Sequence, residues 1–75
     1  MILDRTYEGT IVSFLGFDGV ERDACVVRVR RDSALITYAV PSATHDGVDR
    51  GVVPVLVVAN LARRDWQRID PTVRP

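Results

Sequence analysis

Three sets of residues in this 75-residue chain have types and spacings that could do chemistry. The first is THDGVD, residues 44–49, which groups His45, Asp46 and Asp49. An imidazole beside carboxylates can serve as a general base, and both groups bind metals. A hard-metal loop needs more oxygen ligands at regular spacing, however, and turns are rich in Asp and Gly for conformational reasons alone. The stretch is therefore read as a solvated loop. The second is Cys25, the only cysteine. A thiol becomes a nucleophile when a base lowers its pKa. The alternation of ACVVRVR, 24–30, instead puts Cys25 with Val27 and Val29 on the core face, as a small apolar residue. One cysteine and one histidine allow neither an internal disulfide nor a clustered metal site. No catalytic residue, metal or cofactor is expected.

The third set is the arginines. All ten basic residues are arginine, and ten acids cancel them, so no global charge draws the chain to nucleic acid or an anionic membrane. Locally the picture differs. Arg28 and Arg30 project from the outer face of one apolar run, with Arg31 at its end, while Arg63, Arg64 and Arg68 cluster further on. If the two groups lie on adjacent elements they form a basic patch, and the guanidinium fork suits phosphate or carboxylate. Trp66 is the one aromatic placed to stack a base there. The competing reading is an ordinary salt-bridged surface, because Asp23, Asp32, Asp65 and Asp70 stand in or beside the same groups.

The elements that position these residues are mostly β. Asp18-Gly19 is a turn signal, RRDS (30–33) is a short polar break, PSATHDGVDRG (41–51) is a long loop, and residues 70–75 read as a frayed tail. Between them, TYEGTIVSFLGF (6–17) is rich in β-branched and aromatic residues, with Gly9 marking a bulge. ACVVRVR and ALITYAVP (34–41) read as a hairpin, the second with Ile36, Tyr38 and Val40 inward. ANLARRDWQRI (59–69) reads either as a helix capped by Asn60 or as a 3-10 turn over 60–63 followed by a strand, and the second is preferred. FLGFDG (14–19) has two readings: an exposed aromatic tip in which Phe14 and Phe17 bind a partner, or aromatics filling the end of the core.

The run Val52 to Val58 has no charge and no hydroxyl on either face. Val53, Val55 and Val57 make one face, and Val52, Leu56 and Val58 the other, with Pro54 between them, which belongs at an edge, a bulge or a strand start. Leaving three large aliphatic side chains wet forgoes roughly 1.5–3 kcal/mol each, a large share of the ~5–15 kcal/mol that stabilises a domain. A chain this short also buries only about 60% of its unfolded surface, so disulfides, metals or oligomerisation usually assist. The strand is therefore either central in a closed barrel whose other elements cover both its faces, or its second face meets another copy through Val52, Leu56 and Val58. The second is preferred, because so short a chain has few elements to spare.

The order of three strands, a loop, an apolar fourth strand, a short turn with Leu61 and a last strand resembles an SH3-like barrel over residues 7–69. The resemblance implies a single small mainly β domain of about five strands over 1–75, but it names no function. Tudor-like modules of this architecture cage methylated ligands with three or four aromatics. Here Tyr38 is committed to the core, and Phe14 or Trp66 with it. VLVVANLARR is also similar to the ending of the type II dihydrofolate reductases, tiny subunits that work as tetramers around a pore. Their pore-lining Val-Gln-Ile-Tyr is absent, since the corresponding residues are Val55-Leu56-Val57-Val58. This resemblance implies small-barrel oligomers and argues against that enzyme.

No apolar run approaches the ~20 residues of a membrane span, and MILDRTYEG lacks the features of a signal peptide, so a cytoplasmic location is expected. The functional expectation is a non-enzymatic, self-associating binding, adaptor or regulatory module that contacts proteins. A nucleic-acid-binding barrel using Arg28, Arg30, Arg63, Arg64 and Arg68 is the alternative. An oligomeric enzyme with a site shared between subunits is a third class.

Overall fold

In a computed structural model, which describes residues 3–43 and 52–70 (the side chains of 42, 43 and 52 excepted), the chain is mainly β. Its strands are β1 (Ile11–Leu15), β2 (Glu21–Val29), β3 (Ser33–Ala43), β4 (Val52–Ala62) and β5 (Ile69–Asp70), with 3-10 turns at Arg5–Tyr7 and Arg63–Arg68. All pair antiparallel in one sheet of order β4-β3-β2-β1-β5. The sheet is not closed into the expected barrel: β4 and β5 are its two edges, and no ladder joins them among the described residues. The physical reason lies in β5, whose two residues pair only with Ser13 and Phe14 of β1. The 3-10 turn before it covers the core instead, burying Trp66. No helix among the described residues is long and apolar enough to cross a membrane.

Turn chemistry explains the connections. Gly16–Gly19 is closed by the Gly19 N–H donating to the Gly16 carbonyl at 2.9 Å, and Gly19 has φ +81, as the Asp18-Gly19 signal requires. Asp18 supports the turn by accepting the Val20 N–H at 3.1 Å. Gly9, at φ +83, donates to the Val26 carbonyl at 2.7 Å while the Val26 N–H donates to Thr10 at 2.9 Å. Two residues thus oppose one, which is the β-bulge expected at Gly9.

The core lies on one face of the sheet, where Val12 and Phe14 of β1 meet Ala24 and Val26 of β2, Ala34 and Ile36 of β3, and Leu61, Trp66 and Ile69. Tyr38 joins it, its ring 5.4 Å from Phe14, so Ile36 and Tyr38 face inward as expected, with Val40 half-buried beyond them. On β2 the expectation is corrected. Val26 is buried, whereas Cys25 is half-buried and Val27 exposed. The register shifts between Val26 and Arg28, so Val27 is an extra residue and the inner face passes from Val26 to Val29. A strict two-residue period cannot foresee that step, because bulges break it.

The C-terminal segment is corrected as well. Asn60 stays in β4 opposite Leu35, the 3-10 turn runs over Arg63–Arg68, and the final strand is only Ile69–Asp70. Trp66 and Ile69 are both buried, and residues three apart align in a 3-10 helix but fall on opposite faces of a strand. The Trp66 indole N–H donates to the Leu61 carbonyl at 3.3 Å, locking the turn against β4. Asp70, expected to fray, is held in β5 opposite Ser13, and residues 71–75 lie outside the described ones.

Candidate functional site

The long β3–β4 hairpin outruns the rest of the sheet. β2 flanks β3 only as far as the Cys25–Thr37 pair, yet β3 and β4 stay in register from Ser33–Ala62 out to Ala43–Val52. Beyond Thr37, the six pairs from Tyr38–Val57 to Ala43–Val52 therefore form an arm. Its effect shows in the dimensions, with a longest axis of 45 Å and a radius of gyration of 13.9 Å, where about 11 Å is expected of a compact chain this long.

The arm is apolar on both faces. Leu56 is 67% exposed, Val53, Pro54 and Val55 are exposed too, and Val58, just before the arm begins, is 60% exposed. The expectation that one face of this strand packs on the core therefore holds only near its end, at half-buried Val57 and Ala59 and buried Leu61. Val53 and Val55 lie past the last core residue. Val52 opens β4, and its side chain lies outside the described ones.

The prolines decide how the edge of β4 can be used. Facing residues in an antiparallel ladder either exchange two hydrogen bonds or turn their N–H groups away from each other. Pro41 and Pro54 face each other and have no N–H, so they occupy a pair of the second kind. The Pro54 nitrogen thus sits on the open edge of β4, where it denies a bond to any added strand. Contact through the faces of the arm is favoured over edge-to-edge pairing.

At the start of β2, the end toward which the arm extends, the aromatic loop divides. Phe14 is 0% exposed and belongs to the core, which removes it from any partner surface. Strand parity explains this: Phe14 shares the inner face with Val12. Phe17 is 63% exposed at the loop tip, edge-on to Phe14 at 6.4 Å. The Arg68 guanidinium stands 4.4 Å from the centre of the Phe17 ring and donates to the carbonyls of Leu15 and Gly16, both at 3.3 Å. Nearby, Arg22 donates to both oxygens of Asp18 at 2.8 and 3.2 Å. Those bonds, with that from Val20, hold the Asp18 carboxyl down at about 2.

The five arginines of the nucleic-acid reading do not stay together. Arg68 is committed to the 15–16 carbonyls and lies 3.9 Å from Asp65, and Arg64 lies 4.0 Å from the same carboxylate. Arg28 and Arg30 instead line a hollow of about 510 Å³ with Val27, Ser33, Leu35 and Asn60. Arg63 lies over the Trp66 ring at 5.7 Å and donates to the Arg31 carbonyl at 3.4 Å. Trp66 is buried and offers no stacking face for a base.

Cys25 is half-buried, with its Sγ 3.9 Å from the Val26 carbonyl oxygen. His45, Asp46 and Asp49 lie outside the described residues. Among the described residues no group of three His, Cys, Asp or Glu side chains could hold a metal. Arg5, which lines the same hollows as Arg30, is not legible as part of this group in the sequence, because it is remote from the other arginines in the chain. Compared with protein-family models, curated proteins and solved structures, the chain matches none.

Proposed function

We propose that the chain is a small, non-enzymatic binding module of SH3-like topology that works in the cytoplasm, associates with copies of itself through the β3–β4 arm, and contacts a protein partner through the loop around Phe17. The strand order supports the SH3-like reading, since a four-strand meander is followed by a 3-10 turn and a last strand returned to β1. One observation carries the self-association: an arm with apolar side chains on both faces that projects beyond its own core. Unpartnered apolar surface of that kind on a strand is an aggregation hazard unless something covers it.

Size indicates how a second copy would sit. Six ladder pairs at about 3.4 Å and two strands about 4.8 Å apart give each face roughly 20 Å by 10 Å. Both faces together approach half of the ~800 Å² per partner in a standard interface. An embrace, in which each arm lies against the partner's body, supplies the remainder better than a flat contact of one face. Exposed Phe17, backed by Arg68, is the anchor for a different protein.

Sedimentation velocity across concentrations tests the reading. A dimer or higher species forming in the micromolar range is expected, and a single monomeric species at tens of micromolar refutes it.

A further inference from the structure

A second surface lies at the end of the sheet where β2 turns into β3. Arg5 arrives from the first 3-10 turn, Arg28 and Arg30 flank buried Val29, Arg31 lies in the β2–β3 connection, and Arg63 opens the second 3-10 turn. Three adjoining hollows link them. Arg5, Arg28 and Arg30 line one; Arg5, Arg30, Arg31 and Arg63 line the next; Arg28 and Arg30 line the third. Arg30 lines all three, so the five arginines border one continuous band of surface.

The band is under-neutralised. Among the described residues no carboxylate lies within ion-pair distance of any of the five. Asp4 and Glu8 border the hollows but already accept other hydrogen bonds. Asp4 accepts the Thr6 N–H at 2.9 Å and the Thr6 hydroxyl, and Glu8 accepts the Val29 N–H at 2.9 Å. Counting those two and exposed Asp32, five cations less three anions leave a local charge of +2 on a neutral chain. Glu21 and Asp23 stand near the opposite end of β2, about 20 Å away at ~3.3 Å per residue.

The geometry points to a nucleic-acid-binding surface in which Arg5, Arg28, Arg30, Arg31 and Arg63 grip the phosphate backbone of a duplex. The guanidinium fork matches phosphate oxygens. Arg28 and Arg30, two residues apart on the outer face, are spaced about 6.6 Å along the strand, far enough for their forks to engage separate phosphates. The band also lacks an exposed ring for stacking: Trp66 is buried, and Phe17 lies by the start of β2, at its far end. Backbone contact without base stacking suits a duplex and carries no sequence preference. This surface is separate from the arm, so it stands whether or not the chain self-associates.

Fluorescence anisotropy of a labelled 20-base-pair DNA, titrated with the full chain at several salt concentrations, tests the inference. Binding in the ~1–100 µM range is expected. Its log–log salt slope should lie between about −2.7 and −4.5, for three to five neutralised phosphates. Arg28→Ala and Arg30→Ala, at exposed positions, should each flatten the slope by about 0.9, whereas Arg64→Ala should leave it unchanged. Circular dichroism confirms that each variant is folded. Three results overturn the inference: no binding at 20 mM salt (~30 Å Debye length at half that), an Arg64→Ala loss equal to that of Arg30→Ala, or a polyglutamate peptide competing as well as DNA.

Discussion

Replacing Leu56 with alanine removes three carbon atoms from a large aliphatic side chain of the arm that is mostly exposed. At ~0.8 kcal/mol per carbon, full burial of those atoms is worth about 2.4 kcal/mol. Leu56 is already one-third covered by its own chain, since 67% of it is exposed. A partner that covers the rest therefore gains about 1.6 kcal/mol from these atoms on each copy. A two-fold assembly contains the side chain twice, so the loss is about 3.2 kcal/mol. At 1.4 kcal/mol per tenfold, the dissociation constant should rise about 200-fold. The fold itself should hardly notice, because Leu56 is absent from the core cluster. Sedimentation velocity of Leu56→Ala against the parent reads the first effect, and a thermal melt below the dissociation constant reads the second. An unchanged species distribution would refute the role given to this face. A large drop in monomer stability would show instead that the arm folds back onto its own body.

Phe14→Ala should cost about 3–5 kcal/mol, as deletion of a fully buried ring does, while Phe17→Ala should cost under about 1 kcal/mol, the worth of an exposed cation–π contact; paired urea titrations compare them. Gly9→Ala should destabilise by about 1–2 kcal/mol, because its φ is +83 although a β-carbon there would meet nothing within 4 Å; the same titration measures it. The Asp18 carboxyl is depressed from 3.8 to about 2. Its folded value lies below its unfolded one, so the contribution is complete above pH 3.8, fades as pH falls toward 2 and is absent below. In Gly16→Ala the new β-carbon would stand 2.6 Å from both Arg22 Nη1 and Asp18 Oδ1. The pair must open and Asp18 should titrate near 3.8 again; carboxyl NMR that still finds it near 2 would contradict this.

The amino-acid sequence by itself determined the small mainly β architecture, the turn at Asp18-Gly19, the bulge at Gly9 and a fourth strand apolar on both faces. Each of these is local: positive φ demands glycine, and a run without polar atoms advertises itself whatever surrounds it. Three features were decided only by the tertiary structure. The bulge at Val27 moved the core face of β2 from Cys25 to Val26, because pairing with β3, and not the residues of β2, set where the extra residue fell. Trp66 and Ile69 came to share a face through a 3-10 turn, since the two-residue β5 left the core to be covered from the side. The arginines were regrouped, with Arg5 and Arg63 brought to Arg30 and Arg31, because charges remote in the chain become neighbours only when the sheet is assembled.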